Sequence, residues 1–229
     1  MNKEWAEANR LMQQQLKKES TFQSGINTLF CLRNSLFEQL LLFKSNLSNA
    51  RFCEMPFANA KGYHNKTIAY SLWHTFRIED IVAHTVIKND EQVFFCKCYQ
   101  NKINSPIITT GNELVKDEIV EFSKQLDIDA LYEYISEVKN STEAIIKELS
   151  FGGIKQKVSP EAKDRIIKSH SVSADENAVW LIDYWCGKTI RGLIQMPFSR
   201  HWIMHTEAAL KIANKVKSNE YNYQKIKHH

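Results

Sequence analysis

SRHWIMHTEAALKI, residues 199–212, is the stretch on which the fold turns. His201 and His205 stand four residues apart. On a helix that is about 40° of rotation, so both rings leave one face. Phe198, Ala208, Ala209, Ile212 and Val216 fall on the same stripe. This apolar company turns the pair toward a core, and the two alanines leave space beside the rings. Two neutral imidazoles at this spacing can chelate one ion. Zinc proteases with a related pattern carry Glu directly after the first His. Trp202 stands there instead, so protease chemistry lacks its general base.

His74 lies on a second predicted helix, over about 66–87, and shares its face with Tyr70, Ile78, Ile81 and Thr85. One inward His is usually a hydrogen-bonded core residue. Three inward His on two helices are harder to explain structurally, because every buried ring needs partners for both nitrogens. The remaining histidines read differently. His84 falls about 80° off the His74 stripe and is expected at the surface. His64 and His170 fall in predicted loops, and His228 and His229 end the chain.

Further helices follow from periodicity and capping signals. A short polar helix is expected over about 3–18. A long one over about 21–48 carries Leu29, Leu32, Leu36, Leu40 and Phe43 on one face. Pro56 and Gly62 mark 51–65 as a connection. Thr110 with Glu113 has capping-box spacing and predicts a helix start. Asp127 or Asp129 can cap a helix through about Leu149, which Phe151-Gly152-Gly153 would end. Ser173 with Glu176 is a second capping-box candidate. Pro197 suits a first helical turn, opening a last helix over about 198–218. Four long helices result, at about 21–48, 66–87, 128–149 and 198–218. The expected fold is all-α: an antiparallel four-helix bundle with additional short helices. The linkers exceed the few residues usual in bundles and leave material to wall a site.

Composition narrows the class. Only 7 Gly and 4 Pro in 229 residues argue against a strand-rich fold. A hydrophobic fraction of 43% supports a sizeable core. The net charge of +4 is weak support for a nucleic-acid partner, and no groove-reading motif accompanies it. No run approaches the roughly 18 apolar residues of a membrane span. Five cysteines behind a polar N-terminus point to a reducing cytoplasm with free thiols. Cys96-Lys97-Cys98 lacks a second Cys or His pair nearby, and reads as ordinary semi-buried cysteines.

SLWHTFRIEDIVAHTVI (71–87), followed much later by SRHWIMHTEAALKI (199–212), resembles the DinB/YfiT-like superfamily. Those proteins are four-helix bundles with a His on the second helix and H-x-x-x-H near the start of the last. The resemblance covers roughly residues 20–218. It implies that His74, His201 and His205 are the protein ligands of one divalent metal, Zn, Ni, Fe or Mn. Residues 1–19 then form an N-terminal helical extension. Segments near 88–127 and 150–195 are insertions in the bundle domain of 20–218, and 219–229 is a polar tail.

Three neutral His ligands leave a position open for water or substrate, the pattern of catalytic rather than structural sites. The resemblance implies a small-molecule substrate, a homodimer, and thiol-dependent S-transfer with a low-molecular-weight thiol such as bacillithiol or mycothiol. Metal-dependent hydrolysis and a non-catalytic, metal-binding stress-response role are the alternatives. Arg77, one turn after His74, could meet an anionic substrate or could be a solvated arginine; Arg200 has the same ambiguity. The segment WLIDYWCGKTIRG (180–192) could line the pocket, with Asp183 as base or as partner to a ligand His. The same segment also suits an amphipathic helix packing its tryptophans inward.

Overall fold

The computed structural model describes residues 2–227, with side chains through residue 218. His228 and His229 lie outside the described residues. The chain is all-helical: among the described residues the sole β-type pairing is an isolated bridge between Lys157 and Thr189. The helices in chain order are α1 (Lys3–Gln15), α2 (Phe22–Asn46), α3 (Asn49–Phe52) and α4 (Ile68–Asp80). There follow α5 (Val93–Cys96), α6 (Tyr99–Ile103), α7 (Asp117–Gln125), α8 (Ile128–Glu148) and α9 (Phe151–Lys155). The last four are α10 (Ala162–Ser169), α11 (Glu176–Cys186), α12 (Ile190–Gln195) and α13 (His201–Lys227). Two π-helical segments interrupt the regular spiral. Ile81–Lys88 prolongs α4, and Met196–Arg200 joins α12 to α13.

α4 is the central element. Every one of its thirteen residues is buried, as befits a helix enclosed on all sides. Thr67 caps it by accepting from the Tyr70 amide at 3.0 Å. α4 packs against α8 and α13, and α2 packs against α1, α8 and α13. The apolar stripe of α2 (Leu29, Leu32, Leu36, Leu40, Phe43) is buried against these neighbours. α1 is no loose extension: Trp5, Met12 and Leu16 are buried with the core. No helix among the described residues is long and apolar enough to cross a membrane.

Burying all of α4 means burying its charges. Arg33 of α2 grips Glu79 with two bonds, Nη1 to Oε2 at 3.0 Å and Nη2 to Oε1 at 2.8 Å. It also donates to Glu143 of α8 and to the Phe198 carbonyl in the second π segment, each at 3.0 Å. The Trp202 indole N–H completes the cluster on Glu79 Oε2 at 2.6 Å. Arg77, on another side of α4, is fully buried against Asp80, Tyr134, Gln92 and the Ile108 carbonyl. Asp80 in turn accepts from the amides of Val93 and Phe94, at 2.9 Å each, and so anchors α5. Buried charges persist where partners of this kind surround them.

Several local expectations are corrected. His84 is buried, bonded to Asp90 at 2.6 Å and to Ser141 at 2.9 Å. The count at about 100° per residue fails there because the wider π segment begins at Ile81. Thr110 and Glu113 do not open a helix. Glu113 bonds Thr109, Thr110 bonds Asn112, and α7 starts only at Asp117. Asp175, not Ser173, caps α11. Phe151-Gly152-Gly153 begins α9, with Ser150 as its cap. Cys96 and Cys98 are exposed rather than semi-buried.

Candidate metal centre

His74 comes from the middle of the buried helix α4, and His201 and His205 from the first turns of α13. One ligand atom from each ring can be chosen so that all three lie within 4.8 Å of one another. The rings are 4.5–5.1 Å apart between centroids, and all three residues are buried.

A short loop fixes the His74 ring. Its Nδ1 lies 2.8 Å from the Thr110 carbonyl oxygen. A carbonyl only accepts, so Nδ1 carries the proton and the Nε2 lone pair is left free. Tyr70 stacks nearly parallel on the other side, 5.6 Å away and tilted by 9°. Its hydroxyl donates to the Gly111 carbonyl at 2.9 Å, binding the same loop. Gly111 sits at φ +75°, and a Cβ there would meet the Tyr70 ring at 3.1 Å. Only glycine suits both the conformation and the contact. A His ligand oriented by a carbonyl through its second nitrogen is the arrangement usual around bound metals.

His74 Nε2 faces His201 Nε2 at 3.3 Å. Two nitrogens bound to one tetrahedral ion at about 2.0–2.1 Å would be separated by about 3.3–3.4 Å. A ring-to-ring hydrogen bond is the alternative, but it leaves His201 Nδ1 and both nitrogens of His205 buried without partners. Unmet buried polar atoms cost about 1–3 kcal/mol each. A cation shared by the three rings would engage one nitrogen from each. A cavity of about 10 Å³ beside His205, bordered by Ser71, Thr75 and Thr206, only just reaches the space that one water needs.

The rings are held neutral. Burial lowers the His74 pKa to about 4, against the opposing effect of the Thr110 bond and with a further push from Lys66. His201 and His205 lie well below the usual histidine value, from burial first and then from mutual repulsion among the rings. Neutral imidazole is the form that ligates metals.

On one side His74 and His201 border a cavity of about 220 Å³. Its walls are Ile78, Tyr63, Asn112, the Trp180, Leu181, Tyr184 and Trp185 side chains of α11, and Met196 and Pro197 of the second π segment. Trp185 is buried and Trp180 half exposed at the rim. Tyr63 also meets the His205 ring edge-on at 5.0 Å.

The structure separates the other sequence candidates from this site. Arg77 neither borders the cavity nor is solvated, because its guanidinium is consumed by the Asp80 cluster. Asp183 projects outward from α11, with 76% of its side chain exposed, and pairs with Lys163 at 2.6 Å. It borders a different surface depression, so it is placed neither as a base nor beside a ligand His. Arg200 is exposed. Sequence reasoning missed Thr110, Gly111 and Asn112, which hold and flank His74. In the sequence Thr110 carries only a helix-capping signal, and nothing there shows which residue its loop meets.

No family model matches the chain, and no curated protein matches it. Among solved structures, it is similar to the crystal structure of a conserved protein from Enterococcus faecalis, with a TM-score of 0.56 and 14% identity. The match covers 81% of this chain and 93% of that one. At this identity the likeness concerns the fold alone.

Proposed function

We propose that the chain is a metal-dependent enzyme of the DinB/YfiT-like kind, with its long helices forming the family's four-helix bundle. In this reading His74, His201 and His205 hold one divalent ion, and the reaction is S-transfer from a low-molecular-weight thiol to a small molecule. The observation that carries it is the convergence of three buried, neutral imidazoles, with partnerless nitrogens, beside a cavity. No Asp, Glu or Cys among the described residues joins the three rings as a fourth protein ligand, which suits a catalytic rather than a sealed structural site.

When bound, the metal supplies Lewis acidity, which lowers the pKa of a thiol or water at the open position. The protein's part is positional. Thr110 keeps the His74 proton on Nδ1, and the buried setting keeps all three rings neutral. Among the described residues no carboxylate borders the cavity to act as general base. This favours thiol transfer over hydrolysis: a thiol of lowered pKa would give its one proton to solvent and attack as thiolate without a base, whereas hydroxide would carry a second proton into the adduct. The thiolate sulfur forms the new bond to carbon, and the leaving group departs with the electron pair of the bond that breaks.

Elemental analysis of the untagged, full-length protein tests the reading. We expect one equivalent of divalent metal, lost on His74→Ala and on His205→Ala, and metal-dependent consumption of thiol with a suitable electrophile. Wild-type protein that carries no metal and cannot be loaded refutes it.

A further inference from the structure

The cavity beside the imidazoles is uncommonly free of charge. No Asp, Glu, Lys or Arg borders it among the described residues. A charged ligand body would give up its hydration there without gaining a counter-charge, a costly exchange. The walls from α11 and the second π segment are instead apolar or aromatic: Trp180, Leu181, Tyr184, Trp185, Met196 and Pro197. An apolar cavity of about 150 Å³ accommodates benzene. At about 220 Å³ this one suits a substituted single ring.

One polar side chain of the lining is fixed by the loop that holds His74. Asn112 Oδ1 accepts from Thr110 Oγ1 at 2.7 Å, which leaves the amide N–H pair as the free end of that side chain. The Thr110 carbonyl also accepts from His74 Nδ1–H. A single loop thus sets the ligand-bearing ring and the Asn112 donor relative to each other. A few well-placed polar groups in an apolar enclosure are what orient small-molecule ligands.

We infer that this cavity takes an uncharged, largely apolar small molecule with a ring-sized body and one hydrogen-bond acceptor, and that Asn112 donates to that acceptor. The inference rests on the metal-dependent reading only in making this molecule the electrophile presented to the thiol. The recognition itself follows from the walls.

The test uses the full-length protein loaded with zinc, with tryptophan fluorescence as readout and benzyl alcohol, toluene and glycerol as probes. Benzyl alcohol is expected to bind saturably and about tenfold more tightly than toluene, the worth of one hydrogen bond. Asn112→Leu should erase that preference. Trp180→Ala, at a half-exposed position that folding tolerates, should weaken both aromatic probes about tenfold. Zinc content, measured in parallel, should be unchanged in Trp180→Ala. Absence of saturable benzyl alcohol binding, indifference to both substitutions, or displacement by equimolar glycerol overturns the inference. The two readings fail separately: zinc retained without aromatic binding sinks this one, and aromatic binding without zinc sinks the metal reading.

Discussion

The three imidazoles set the acid response of the metal-free chain. Each ring is neutral in the folded state to well below the usual histidine pKa, with His74 held at about 4. The unfolded chain takes up protons near pH 6.5. Between about pH 6.5 and 4 it therefore binds more protons than the folded one, and stability falls as pH falls. The stability is fully present above about pH 6.5, and the slope approaches about 1.4 kcal/mol per pH unit for each ring. Urea unfolding in chelator at pH 7.5 and 5.5 measures it, and His205→Leu should flatten it. Equal stability at both pH values would contradict the burial argument. Gly111 gives a second expectation at this scale. Gly111→Ala strains a positive φ and presses on Tyr70, so the Thr110 carbonyl shifts from His74. Zinc affinity should fall about 10–100-fold, as for other groups that orient a ligand. A competition titration with a chelating dye reads this directly.

Among the elements, α4 and α13 are locked by one carboxylate. Glu79 accepts two of the Arg33 bonds and one from the Trp202 indole N–H, and Trp202 directly follows His201. Glu79→Gln leaves the Arg33 charge short of its counter-ion at 0% exposure. The expected loss is about 3–5 kcal/mol, the usual effect of breaking a buried pair, visible as a lower Tm in calorimetry. A change under about 1 kcal/mol would mean that Glu143 alone suffices for Arg33.

The long helices and the three histidines were legible at the element scale because apolar periodicity survives without context. The inward stripes of α2 and α13 lie where their spacing put them. Arg77, Glu79 and Asp80 were not, because a lone charge reads as solvated and its burial depends on partners far along the chain. Arg33 and Glu79 are 46 residues apart. His84 was misplaced for a local reason, the change of helical pitch at Ile81.

In the molecule as a whole, the segments outside the long helices serve the core and the site. α11, within the segment 150–195, forms one wall of the cavity. α1, within residues 1–19, covers α2, and Met12 and Leu16 are 0% exposed. Truncation of residues 1–18 should expose Ile26 and Leu29, lowering Tm by several degrees and promoting self-association on light scattering. An unchanged melting curve would return α1 to the status of an appendage. Trp180–Trp185 shows the limit of reading at this scale. The aromatic helix was plain in the sequence, yet which of its faces would meet the histidines depended on how α11 docks. That docking left Asp183 outside.

The π turn at Met196–Arg200 acts as a phase slip between two stretches of spiral. Upstream of it, Leu193 and Ile194 of α12 answer to the demands of the core. Downstream, the rotational setting answers to the metal pair. The slip lets either stretch drift in sequence without turning the other. Removing one residue from it, Ser199 for instance, would force a common phase and swing one stretch by about 100° against the other. The two histidines would keep their mutual spacing and lose their target. A lesion that changes no ligand would thus read, in a metal assay, like the loss of two.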